Sequence, residues 1–158
     1  MIESFLALSI DLTGFTRFAL HGTGLSEDYL HASVHVAGQS IVEELLALHS
    51  EIVRSFPDSR DIEIRRQILG DEKLGPIARN VIKMWYIGIW EALPLEWVER
   101  YGPTIDNAGF MVSGRAYREG LLWLAIGANP PGAKAPGYGS WALPPTYWEP
   151  PAVGGTVS

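Results

Sequence analysis

The sequence predicts an all-α fold, a single helical domain of about four or five helices over residues 1–127 with an extended Pro/Gly/aromatic-rich arm over 128–158. Three observations lead there. Apolar residues repeat at spacings of three and four in successive stretches up to residue 90. Beyond 128 come Pro130, Pro131, Pro136, Pro144, Pro145, Pro150 and Pro151, which with several glycines rule out regular structure. Of 158 residues, 47% are hydrophobic and 19% charged, enough apolar side chain for one real core and too much for a chain disordered throughout.

Ile2, Phe5, Leu6, Ser9 and Leu12 recur at helical spacing, and Gly14 stands where a C-terminal cap belongs. Ser26 followed by Glu27 and Asp28 marks a helix start, a capping hydroxyl and then negative charge in the first turn. From Gln39, Ile41, Val42, Leu45, Leu48, Ile52 and Phe56 form one stripe, with Glu43, Glu44, Ser50, Glu51 and Arg54 off it, and Pro57 stops the helix. Asp58 or Ser59 caps the next one, which carries Asp61 and Arg65 on one face, Ile64 and Ile68 on another, and ends at Gly70.

The strongest period follows, with Leu74, Ile77, Ala78, Val81, Ile82, Trp85 and Ile89 set against Lys73, Arg79, Asn80 and Lys83. Residues 84–90 are apolar on every face, so the end of that helix needs cover from the core or from another chain. Residues 94–114 show turn chemistry and no sustained period, and the apolar run 121–126 fits helix or strand. In the arm, Tyr138, Trp141, Tyr147 and Trp148 are interleaved with the prolines. Disordered tails are poor in aromatics, so the arm reads as a segment that docks its rings onto a surface.

Composition excludes several functions. A net charge of -6 without any Lys/Arg cluster argues against nucleic acid and against anionic membrane surfaces. The absence of Cys removes disulfides, thiolate metal sites and thiol nucleophiles. No apolar run reaches the length of a membrane span, the best, 84–95, being broken by Glu91 and Pro94. Glu3 comes almost at once, so the opening residues do not read as a signal peptide.

Chemistry has little to stand on. Glu27, His31 and His35 are four apart on a predicted helix and could ligate a metal from one face, although no second helix offers obvious partner ligands. His21 and His49 are isolated and read as surface or boundary residues. No GxSxG elbow or SxxK motif occurs, and Glu43-Glu44 and Asp71-Glu72 fit solvent faces or a helix start. Gly22-Thr23-Gly24 and Gly154-Gly155 lack the strand and helix that a phosphate loop requires. The expectation is a non-catalytic binding subunit without cofactor or metal of its own. Its candidate partner-binding residues are Trp85, Tyr86 and Trp90, core residues if this chain covers them, together with Tyr138, Trp141, Tyr147 and Trp148.

Phe5-Leu6-Ala7-Leu8-Ser9 with Leu12-Thr13-Gly14, then Trp85-Tyr86-Ile87-Gly88-Ile89, then Pro136-Gly137-Tyr138…Trp141…Pro144-Pro145 resemble, in this order, the small (gamma) subunit of bacterial FAD-dependent membrane-bound sugar dehydrogenases, the group of sorbitol, fructose, gluconate and glucose dehydrogenases. The resemblance implies a large flavoprotein partner that holds FAD and the catalytic histidine, and a cytochrome c subunit reached through the complex. It implies for this chain a role in folding and exporting the large one. It also implies a periplasmic location, or a cytoplasmic one if the chain works without an export signal. Three departures stand out: no twin-arginine signal, no Cys in the Pro-rich arm, and a longer stretch over 89–117. The rival readings are a stand-alone metal-binding helical protein using Glu27, His31 and His35, and a chaperone for an unrelated enzyme.

Overall fold

A computed structural model describes residues 1–102 and 107–130. These residues are mostly helical, as the periodicity predicts. Residues 1–128 make one compact unit. Among the described residues no helix is long and apolar enough to cross a membrane.

Helix α1 (Ile2–Thr13) buries Phe5, Leu6, Leu8 and Ser9 and stops where Gly14 turns left-handed, its N–H bonded to Ile10 O. The short α2 (Arg17–Thr23) lay outside the sequence expectation; Thr16 caps it by accepting from Ala19 N. Helix α3 (Ser26–Ala37) starts with Leu25, not Ser26, in the cap position. The Thr23 hydroxyl accepts the Leu25 N–H, and Ser26 lies in the first turn with its hydroxyl turned inward.

Helix α4 (Gln39–Ser55) buries Ile41, Val42, Leu45, Leu46, His49 and Ile52. The predicted stripe therefore left out Leu46 and His49, Leu48 is only half-buried, and Phe56 at its end stays exposed. Helix α5 (Arg60–Glu63) runs straight into a π-helical segment, Ile64–Leu69, that keeps the expected Ile64 and Ile68 inward. The wider turn leaves Leu69 O to accept from the Arg79 guanidinium at 2.8 Å. Ser59 holds the cap position without a side-chain bond, and Asp61 pairs with Arg60 at 3.9 Å rather than with Arg65.

Helix α6 (Leu74–Ile87) is the centre of the fold. It touches α1, α3, α4, the π segment and the elements that follow it, so Leu74, Ile77, Ala78, Val81, Met84 and Trp85 are all buried. The sequence carried this helix on to Trp90, which the structure corrects. Gly88 adopts φ 74° and ends the helix, and strand β1 (Ile89–Trp90) pairs antiparallel with β2 (Phe110–Met111), Ile89 opposite Met111. Between the strands α7 (Leu95–Tyr101) appears where only turns were expected, its Trp97 anchored by an indole bond to Lys73 O at 2.7 Å. Helix α8 (Gly114–Arg118) is capped by Ser113, and α9 (Leu121–Ala125) resolves the open apolar run as helix.

Gly88 is needed twice over. Its backbone conformation is one that L side chains avoid, and a Cβ there would lie 2.7 Å from the carbonyl carbon of Ala116. Gly14 has φ 75° but open space around it. Gly14→Ala is therefore expected to cost roughly 1 kcal/mol, the conformational term alone, whereas Gly88→Ala must also displace the α8 backbone and is expected to cost on the order of 3 kcal/mol. Equal losses in urea unfolding of the two variants would show that the approach of α8 contributes nothing.

Candidate functional site

The aromatic residues singled out in the sequence divide. Trp85 is 1% exposed and Trp90 0%, both inside this chain's own core. The ring of Trp85 meets Tyr29 of α3 edge to face, centroids 4.8 Å apart at 85°. Of the two sources of cover that the all-apolar stretch allowed, these two rings take it from within the chain, because the chain leaves the helix at Gly88 and turns Trp90 inward. Tyr86 is half-buried; its hydroxyl donates to Thr13 O at 3.1 Å and its ring meets Phe15 edge-on at 5.8 Å. It holds the end of α6 to the end of α1. Tyr138, Trp141, Tyr147 and Trp148 lie outside the described residues.

The α3–α6 core carries polar atoms with no hydrogen-bond partner in the described protein: Ser26 Oγ, Tyr29 Oη, Trp85 Nε1 and Trp90 Nε1. Burial, aided by the charge of Asp28, pushes the Tyr29 phenol far above its ordinary pKa. The backbone is better served. Asn80 brackets Glu91, donating from Nδ2 to Glu91 O at 3.0 Å and accepting Glu91 N–H at 2.9 Å. Asn107 does the same for Leu93, both bonds at 2.8 Å. These two amides fix the chain as it leaves β1.

A buried ionic cluster was missed by sequence reasoning. His49, read as a surface or boundary residue, is 2% exposed and lies 2.8 Å through Nε2 from Asp11 Oδ2. A carboxylate only accepts, so His49 donates through Nε2. Arg60 approaches the other oxygen of Asp11 at 3.4 Å, so one carboxylate ties α1, α4 and the start of α5 together. The signal was present: His49 follows Leu45 by four and precedes Ile52 by three, which puts it on the buried stripe. Outside it, Glu63 accepts from Gln67 at 2.6 Å and from Arg66 at 2.7 Å, and those bonds hold its carboxyl below the usual range.

Glu27, His31 and His35 are exposed along α3, and among the described residues no group of three His, Asp or Glu is arranged to hold a metal ion. A surface groove beside Pro76, Trp97 and Tyr101 is crossed by Arg100, which lies over the Tyr101 ring at 5.4 Å and pairs with Glu72 at 3.0 Å. No family model matches the chain, and neither a curated protein nor a solved structure matches it.

Two measurements test this description. Asp11→Ala leaves a buried imidazole and a guanidinium without their acceptor and is expected to cost about 3 kcal/mol. Combined with His49→Leu it should cost at least about 1 kcal/mol less than the sum of the single changes; strict additivity in denaturant unfolding would show that the pair is not coupled.

The second concerns Tyr29. Its folded-state pKa is raised, so the folded protein keeps the phenolic proton where the unfolded chain has lost it. That contribution to stability is complete below the ordinary phenol value of about 10 and is lost as pH rises toward the folded-state value. Tyr29→Phe is expected to cost no more than about 1 kcal/mol at neutral pH and to lose less stability than the parent on alkaline titration. A larger cost at neutral pH, or identical alkaline profiles, would refute it.

Proposed function

We propose that this chain is a non-catalytic small subunit that binds, stabilises and helps mature the FAD-containing catalytic subunit of a sugar or polyol dehydrogenase complex. The oxidation itself, hydride transfer from a sugar carbinol to flavin, belongs to the partner, and electrons leave the complex through a cytochrome c subunit. The complex works at the periplasmic face of the inner membrane, or in the cytoplasm if the chain carries no export signal. The observation that carries the reading is where the folded body leaves its large apolar side chains. With a closed core of its own, it still turns Phe18, Ile62, Leu95, Leu124 and Ile126 to solvent, at 60 to 88% exposure. Side chains of this kind are what a partner's surface covers. The ordered match of three motifs to the small-subunit family supports the choice of partner.

Purified alone, the chain is expected to carry no flavin, metal or dehydrogenase activity; a stoichiometric chromophore or metal would overturn this. Co-expression with the large subunit is expected to raise its solubility. Truncation after Asn129 should weaken the complex severely while leaving helix content nearly unchanged. Trp141→Ala or Trp148→Ala should each cost on the order of 2 kcal/mol of binding, with Val157→Ala near zero. Full binding by the truncated chain would remove the arm from the interface. A lower melting temperature of the truncated chain on its own would make the arm a cover for the helices instead.

A further inference from the structure

Between α4 and the π segment the chain runs along the surface. From Val53 to Glu63 no residue is buried, and Ile62 stands 65% exposed. Within that run α5 is a single turn that buries nothing, and its cap residue Ser59 makes no side-chain bond. Pro57 precedes it and the wide turns from Ile64 follow it, so the regular α-helical ladder is interrupted on both sides.

The bonds of this segment are local. Among the described residues, the hydrogen bonds and ion pairs of 57–63 stay within 56–67, with one exception. The exception is Arg60, whose Nη2 lies 3.4 Å from Asp11 Oδ1 on α1. The Arg60 side chain is 44% exposed and that of Asp11 9%, so the guanidinium covers the carboxylate on its solvent side. On the inner side His49 Nε2 donates to Asp11 at 2.8 Å. Residues 107–115 contain no buried residue either, but there the pairing of β2 with β1 and the Asn107 bracket hold the chain to the body. A segment with exposed backbone bonds and almost no buried apolar contact opens at a free energy well below that of global unfolding.

We propose that residues 57–63 form a strap latched by Arg60 on Asp11, which opens while the helical body stays folded and, when open, bares the Asp11–His49 pair. The two bonds to Asp11 differ in kind. The outer one is half-exposed and therefore weak and screened by salt. The inner one is buried, with the His49 side chain 3% exposed. When Arg60 leaves, Asp11 keeps the hydrogen bond from His49, so opening strands no buried carboxylate and α1 stays tied to α4. One carboxylate thus serves a permanent bond between α1 and α4 and a releasable one between α1 and α5. The inference concerns this chain alone and is independent of the partner-subunit reading.

Hydrogen exchange of the full chain, read by mass spectrometry, tests it. The Glu63 and Ile64 amides are bonded to Ser59 O and Arg60 O, so their exchange requires the strap to open. Relative to intrinsic rates, residues 57–64 are expected to exchange at least about a hundredfold faster than 74–87 of α6, which open only with larger parts of the fold. Arg60→Gln is expected to speed 57–64 about threefold and to leave 74–87 unchanged, and added salt should speed the parent but not this variant. Arg17→Gln, which breaks the exposed pair with Glu3, is expected to leave 57–64 as in the parent.

Uncovering of the pair has its own readout, the acylation of accessible imidazoles by diethyl pyrocarbonate. Exposed His31 is expected to react equally in the parent and in Arg60→Gln, whereas His49 should react about threefold faster in the variant, in step with the open fraction. Equal exchange of 57–64 and 74–87 in the parent would show that the strap opens only with the whole fold. Acceleration of both by Arg60→Gln would make Arg60 an ordinary stabiliser of that fold. Either result overturns the proposal, as does unchanged exchange in Arg60→Gln, or a His49 rate that stays fixed while 57–64 speeds up.

Discussion

The structure depends on how α6 ends. Gly88 turns the chain out of the helix with φ 74°, its carbonyl accepts Val112 N–H at 3.0 Å, and its bare α-carbon lets Ala116 come into backbone contact. Helix termination, strand pairing and the seating of α8 are thus met by one residue. The change of period that follows is what covers residues 84–90. A helix presents about a third of its residues to one side, whereas the helix–strand junction turns Met84 and Trp85 inward from α6 and Trp90 inward from β1. An uninterrupted helix would have left one of these rings outside.

The polar groups taken into the core are handled in two ways. Ser9, Thr13 and Ser33 return their hydroxyls to the carbonyls of Phe5, Ser9 and Tyr29 at 2.7 to 2.8 Å, so small side chains lie between packed helices without an unmet donor. Tyr29, Trp85 and Trp90 contribute ring area instead, the first two meeting edge to face, and their polar atoms find no partner among the described residues. Leaving such atoms unmet costs about 1–3 kcal/mol each, against about 1.5–3 kcal/mol for burying a large apolar side chain. The net contribution of these rings is therefore smaller than their size suggests. The directional part of the core falls instead to the Asp11–His49 pair and to the Asn80 and Asn107 brackets.

What the sequence disclosed follows the strength of its periods. Helices α1, α4 and α6 were legible because each repeats an apolar face over several turns, and the ends of α1 and α4 because Gly14 and Pro57 follow them. Helices α2 and α7 were not, since seven residues complete too few turns for a face to show, and their anchors, Thr16 and Trp97, act through single bonds. The π segment left no trace, because one extra residue per turn shifts Ile64 and Ile68 too little to break an i, i+4 reading. At the candidate site the sequence found the rings, and Trp85 and Trp90 lie in this chain's own core. An all-apolar run states that cover is needed and does not state who supplies it; Gly88 decided that, and a helix-stop glycine inside an apolar run was the readable clue. His49 was misjudged for treating its isolation along the chain as isolation in space.

With Trp85 and Trp90 inside, the folded body has few rings with which to bind, and that changes the physics expected of its interface. Aromatic anchors give affinity through large rigid contact; exposed aliphatic side chains beside cations divide the work, the guanidiniums acting on encounter and orientation and the aliphatic pair on residence. The net charge of -6 does not prevent this. At physiological ionic strength the screening length is about 8 Å, so the body's acidic groups act weakly beyond their own neighbourhood, and at contact a partner meets whichever charges stand unpaired on the edge it touches. The glycine that closes this chain's core is thus also what seats α8 against the end of α6.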